Sequence, residues 1–235
     1  MNRASQKRGP TGLLISFSGM DGSGKSTQIE ALCGQMTQAG LSVLKLAFWD
    51  DVAGLSKFRA AFSHKFLKSS GEIGSPGKPA RRNDKNNRAW YLLLARSFLF
   101  LLDALNLRRI VAKVGGRHAG PIVFDRYIYD QLATLPLEHA ITRAYARLIL
   151  AIAPKPDMAY LLDAQPEQAR ERKPEYPIEF LYKYRQSYLE LSRIADLIVI
   201  KPLSEVAVQR AIGAELERCR KFCAAVRSPE IGLAN

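Results

Sequence analysis

Short apolar runs alternate with longer stretches of helical period along this chain. Leu13 to Ser18 is a short, mainly apolar run bounded by glycines. Such a run predicts a strand buried on both faces of a parallel sheet. Lys25 to Ala39 reads as helix, Gly40 supplies its stop, and Val43 to Phe48 is the next strand, so the opening is one βαβ unit. Helix is then expected over Leu55 to Lys68, a Gly/Pro/Asn-rich loop over Ser69 to Arg88, and a long helix, apolar around most of its circumference, over Ala89 to Val114. Gly115-Gly116 and Gly120-Pro121 end that helix and introduce a strand at Ile122 to Asp125. A helix near Glu138 to Ala151, a strand at Met158 to Leu162, helices at Glu167 to Lys173 and Pro177 to Ile194, a strand at Leu197 to Ile200 and a helix from Ser204 complete the pattern. Five strands alternating with helices predict an α/β protein whose parallel sheet is covered on both faces.

Composition agrees with one globular domain: 235 residues, 47% hydrophobic and 24% charged, exclude a disordered or collagenous chain. We expect a basic tail at 1–11, a domain over 12–222 and a C-terminal tail at 223–235. The nearest approach to a membrane span, Trp90 to Leu107, is interrupted by Arg96, Asp103 and Asn106. Arg3, Lys7 and Arg8 near the start precede an apolar stretch, Leu13 to Phe17, too short for a secretory signal. A cytoplasmic location is the expectation. Cys33, Cys219 and Cys223 follow neither a disulfide nor a zinc pattern and read as reduced thiols.

The excess of Lys and Arg over Asp and Glu, 35 against 22, gives a formal charge of +13 and implies an acidic partner: nucleic acid, anionic lipid or a phosphorylated small molecule. Charge alone does not choose among them. Its densest patch, Lys78, Arg81, Arg82, Lys85 and Arg88, lies in the loop at 69–88, where a solvated surface is the commoner meaning.

The chemistry begins at Gly19 to Ser26, which satisfies G-x-x-x-x-G-K-[ST] between a predicted strand and a predicted helix. Gly19, Gly22 and Gly24 let the chain wrap so that the N–H groups from Asp21 to Thr27, Ser23 included, point at phosphate oxygens. The helix N-terminus adds its positive end. Lys25 is expected to neutralise the β- and γ-phosphates of ATP and the Ser26 hydroxyl to ligate Mg²⁺. The fold expected around this loop is the three-layer P-loop NTPase architecture. Ile122 to Asp125 has the form of its second half, an apolar strand delivering a carboxylate to the sheet edge near the metal, with Arg126 directly after it.

With these parts in place the chain resembles the thymidylate kinase family of P-loop nucleoside monophosphate kinases. The resemblance rests on "SGMDGSGKST", "VFDRYIYD", "PDMAYLLDAQPEQARER" and "FLYKYRQSYLELS", which sample most of the chain from Leu13 to about Ile200. It implies that ATP gives its γ-phosphoryl to a nucleotide acceptor, dTMP being the best single guess. Asp21 matches the family's P-loop acid beside the acceptor sugar. Asp125 and Arg126 match its Asp-Arg pair at the reaction centre and Tyr127 the ring that follows. Arg172 matches the arginine of a lid at about 164–177, with Arg170 and Lys173 as neighbours able to share its role. The resemblance also implies a homodimer through the long apolar helix.

The acceptor side departs from the family. Asp51 stands where the family carries an arginine that clamps the acceptor phosphate, and a carboxylate there repels a phosphate; Arg59 is the substitute clamp. Phe100 matches the aromatic that stacks on thymine, with a plain core role equally open. Ala104 replaces an arginine that reads the base, and Arg96, on roughly the same helix face, is the candidate to compensate. Two alternatives therefore stay open: a kinase acting on a deoxynucleoside or another small alcohol, and a nucleotide-binding module with a nucleic-acid or protein partner. Among partners, a nucleotide is expected, nucleic acid is the less favoured, and no membrane is.

Overall fold

The computed structural model describes residues 12–53, 90–202 and 204–219, the side chains of 90–95 excepted. The expected helix over Leu55 to Lys68, the loop at 69–88, Arg59 and both tails lie outside the described residues. In chain order the elements are β1 (Leu14–Ser18), α1 (Lys25–Gln38), β2 (Leu44–Ala47), a π-helical turn (Phe48–Val52), α2 (Trp90–Gly115), β3 (Ile122–Asp125), α3 (Ile128–Leu132), α4 (Ala140–Ile152), β4 (Met158–Leu162), α5 (Pro166–Arg172), α6 (Ile178–Ala195), β5 (Ile198–Ile200) and α7 (Glu205–Glu217). All five strands pair in parallel, in the order β2-β3-β1-β4-β5.

The strand alternation divides the core into two layers. Leu13, Ile15 and Phe17 of the central strand point with Val123, Tyr160 and Leu162 toward Ile29, Leu32 and Met36 of α1 and Ile212 and Leu216 of α7. Leu14, Ile122, Phe124 and Leu161 point the other way, toward Phe100 and Leu107 of α2, Ile128 and Leu132 of α3, Ile149 of α4 and Leu191 of α6. Successive side chains on a strand face opposite sides, so a strand covered twice must be apolar at every position. β1 meets that demand except at Ser16 and Ser18, both fully buried. The Ser18 hydroxyl has a use, described below.

Two elements went unpredicted. The π-helical turn directly follows β2, and its first residue, Phe48, had read as the end of that strand. α3 is only five residues long, too short for a helical period to register. α4 begins at Ala140, two residues after the expected Glu138. No described helix is long and apolar enough to cross a membrane.

Ile15 is fully buried in the middle strand. Ile15→Ala should destabilise the protein by about 2–5 kcal/mol, read as a lower denaturation midpoint with an unchanged slope.

Candidate functional site

Strand register assembles the site. Asp125, the last residue of β3, pairs with Phe17 of β1 on one side and with Ala47 of β2 on the other. Ser18 of β1 pairs with Leu161 of β4. The glycine loop, the π-helical turn, Arg126 and α5 therefore all leave from one edge of the sheet, the carboxyl edge, where ligands of such sheets bind.

The loop's geometry is set by glycine at two places. Gly22 and Gly24 both have φ of 83°, in the left-handed region where side chains are strained. A Cβ at Gly22 would also stand 2.4 Å from the Ala169 carbonyl oxygen, so only glycine lets α5 lie on the loop. Over Gly24 the space is open, since a Cβ there meets nothing within 4 Å. α1 starts at Lys25 with no side-chain cap, so no side chain satisfies its first-turn N–H groups there. Ser26 and Thr27 are both exposed, and Asp21 and Ser23 are half-buried.

Lys25 is 6% exposed, and its ammonium donates to the carbonyl oxygens of Gly19 at 2.9 Å and Met20 at 2.6 Å, with Ser23 Oγ at 3.4 Å. Burial pushes its pKa from 10.5 down to about 8, and the nearby positive charge of Arg126 acts the same way, against the opposing pull of Asp130, Asp21 and Asp125. Two cations and three carboxylates thus lie within electrostatic reach of one another.

Arg126 is the second of those cations. Its backbone is left-handed, with φ of 65°, and its N–H extends the β1 ladder to the Phe17 carbonyl at 2.9 Å. One guanidinium nitrogen is bonded to Asp21 and the other donates to Asp130 Oδ1 at 3.2 Å. Burial opposes its charge, but Asp130 and Asp21 outweigh burial and raise its pKa, so Arg126 is fixed as a cation.

Asp130 went unnoticed in the sequence, yet it lies one helical turn beyond Arg126, and such an i, i+4 pair is a readable signal once helix begins there. Its Oδ2 accepts from the Ser18 hydroxyl at 2.7 Å and from the Tyr127 N–H at 3.0 Å. Its Oδ1 accepts from the Tyr188 hydroxyl at 2.8 Å. Tyr188 also lies 3.2 Å from the Gly19 carbonyl oxygen and 3.2 Å from the Tyr184 hydroxyl.

On the other flank, Arg172 of α5 donates to the Gly22 carbonyl at 3.2 Å, so the expected lid arginine touches the loop. The start of that segment is tied to α6, where Arg185 grips Asp163 with two hydrogen bonds of 2.7 and 2.6 Å and Tyr182 is bonded to Glu167. Arg170 is half-buried and Lys173 exposed.

The residues expected around the acceptor are placed less uniformly. Tyr127 requires a correction: its ring is fully buried against Phe124 and Tyr129, and its hydroxyl donates to the Pro154 carbonyl at 2.7 Å, which makes it a core residue rather than a substrate contact. Asp51 turns back on its own backbone, Oδ2 accepting from the Ala47 N–H at 2.6 Å, and so braces the π-helical turn. Phe100 is buried between the sheet and the helices, with the Arg96 guanidinium 5.9 Å from its ring centroid. Arg96 donates to Thr134 Oγ1 at 2.7 Å, and Ala104 is fully buried. Nearby, Gln131 donates to the buried carboxylate of Asp103 at 2.5 Å, a polar pair inside the α2–α3 interface that periodicity does not reveal.

Comparison with known proteins follows the same lines. No protein-family model matches the chain. The probable thymidylate kinase of Archaeoglobus fulgidus is 30% identical over 205 residues, covering 83% of this chain and 90% of the relative. The probable thymidylate kinase of Methanosphaera stadtmanae is 27% identical over 191 residues, covering 80% and 87%. The solved thymidylate kinase of Candida albicans shares the fold, with a TM-score of 0.59 and 20% identity over 90% of this chain and 94% of its own. A 30% identical relative matched over almost its full length places this chain in the thymidylate kinase family, and so among the nucleotide kinases.

Proposed function

We propose that the protein transfers the γ-phosphoryl group of ATP to the phosphate of a nucleoside monophosphate, dTMP foremost, giving ADP and dTDP. The observation that carries this reading is the joining of Arg126 to Asp21 of the glycine loop, on whose carbonyl oxygens the Lys25 ammonium rests. One buried and one half-buried cation beside the loop match the charge that spreads over a transferring phosphoryl group.

The loop N–H groups and Lys25 hold the triphosphate. Ser26 and Asp125 would hold Mg²⁺, their hydroxyl and carboxylate being the hard oxygen donors that ion prefers. When bound, the ion neutralises charge on the β- and γ-phosphates. Arg126 lies where it can bridge the acceptor phosphate and the group in transit. The segment 164–177 acts as the lid, Arg172 closing over the phosphates and excluding water. A phosphate acceptor presents an oxygen that is already anionic, so Asp21 and Asp125 take no proton. An alcohol acceptor would need a base, and Asp51, whose loss of the family arginine pointed toward alcohols, is engaged by the Ala47 N–H. A cytoplasmic location belongs to the same reading, since an ATP-driven kinase works where ATP is.

Homodimerisation is supported by α2. Phe98 (61% exposed), Leu102 and Leu105 form an i, i+4, i+7 stripe on its outer face, and Ile141 and Leu148 of α4 are also exposed.

Purified protein with ATP and Mg²⁺, offered dTMP, the other nucleoside monophosphates and thymidine, should form ADP fastest with dTMP; a faster reaction with thymidine would overturn the choice of acceptor. Lys25 gives a pH signature. Its proton is held less tightly in the fold than in the unfolded chain, so folding stability rises with pH between about 8 and 10.5. Bound triphosphate restores the ammonium, so calorimetry in buffers of different ionisation enthalpy should record proton uptake on ATP binding near pH 8, absent in Lys25→Met. Leu102→Glu should convert a sedimenting dimer to monomer; a monomeric wild type at micromolar concentration would contradict the interface.

A further inference from the structure

The reaction assigns Arg126 a task but leaves Asp130 without one. That carboxylate is 1% exposed and accepts from Ser18 Oγ, Tyr127 N–H, Tyr188 Oη and Arg126 Nη1. These donors come from four places: the end of β1, the cap of α3, the middle of α6 and the residue after β3. A charged group buried this deeply is tolerated only when paired and hydrogen-bonded on both oxygens, as here. Three of the four donors are neutral and hold the carboxylate still. The fourth is the guanidinium whose backbone sits at φ of 65°, a conformation a non-glycine residue keeps only where its surroundings impose it.

We infer that Asp130 is a positioning residue for phosphoryl transfer, acting through Arg126. With Ser18 and Tyr188 it forms a rigid seat that fixes the guanidinium toward the glycine loop. The inference rests on the nucleotide-kinase reading of the site and adds a division of labour to it. Asp21 and Asp130 flank the same guanidinium, but their settings differ. Asp21 belongs to the loop that receives the nucleotide and its carboxyl is 17% exposed; the Asp130 carboxyl is wholly buried. Asp21 is the partner that an incoming phosphate competes with, and Asp130 the one that stays. Tyr188 reaches Gly19 as well, so α6 links the seat to the loop backbone.

The chemistry of the conservative variant follows. Asparagine has one oxygen where aspartate has two, so Asp130→Asn must turn its NH₂ either toward the Tyr127 N–H or toward Arg126, and neither of those groups can accept. Either way the seat loses a hydrogen bond and its charge.

The test is steady-state kinetics on full-length wild type, Asp130→Asn, Tyr188→Phe, Arg126→Ala and the double variant Arg126→Ala/Asp130→Asn, using ATP and the acceptor turned over fastest. Asp130→Asn should lower kcat about 10–100-fold with KM for ATP changed less than about 3-fold, and Tyr188→Phe should lower it less. Because Asp130 works through Arg126, adding Asp130→Asn to Arg126→Ala should lower kcat no further. A purely structural role would instead lower thermal stability and leave kcat per folded molecule intact, or act equally in both backgrounds; either result overturns the inference. Should Asp130→Asn fail to fold, Tyr188→Phe in the wild-type and Arg126→Ala backgrounds decides by the same non-additivity. Wild-type protein without turnover of any nucleotide would overturn the kinase reading and this inference with it, whereas active wild type with an equally active Asp130→Asn would overturn the inference alone.

Discussion

One guanidinium bridges two carboxylates that the chain brings from opposite directions, and the arrangement of the site follows from it. Arg126 links Asp21 of the glycine loop to Asp130 of α3, spanning the gap between β1 and β3 at their carboxyl ends. A half-buried guanidinium so paired does not lose its proton, and its position is over-determined: by the β1 ladder through its N–H, by Asp130 through Nη1 and by Asp21 through Nη2. Preorganisation of this kind is what electrostatic catalysis requires, since charges already in place need not reorient as the transition state forms.

Lys25 is the counterpart and behaves differently. It is buried with no carboxylate in direct contact among the described residues, resting on the carbonyl oxygens of Gly19 and Met20, and its proton is correspondingly weakly held. The site therefore contains one cation satisfied by acids and one that a polyanion would satisfy better. That asymmetry favours triphosphate at the loop. α5 is already in contact there through Gly22, while Arg185 and Asp163 anchor the start of the segment.

The parts of this molecule that repeat a pattern were legible from the chain. Both-face burial wrote itself into Leu13 to Phe17, and the spacing of glycines around Lys25 announced a phosphate loop before any fold was known. The sheet, five parallel strands with helices on both sides, followed from the alternation. What stayed hidden was short or depended on tertiary partners. α3 spans barely more than one turn, so no helical period pairs Asp130 with Arg126, four positions before it. Tyr127 was read as facing a ligand because it follows the Asp-Arg pair, yet the turn at Arg126 sends the ring into the core. Asp51 looked like a lost phosphate clamp, and its carboxylate turned out to brace the π-helical turn, a local geometry no period encodes. Arg59, the substitute clamp, lies outside the described residues.

The central claim is that Arg126 serves the transfer step rather than nucleotide binding as such. Rapid-quench single turnover of γ-labelled ATP with a saturating acceptor, alongside ATP affinity, separates the two in Arg126→Ala. The account predicts near wild-type affinity for ATP with a transfer rate lower by about 10³-fold or more, the range over which an arginine at a transferring phosphoryl acts. A transfer rate within a few-fold of wild type would contradict it.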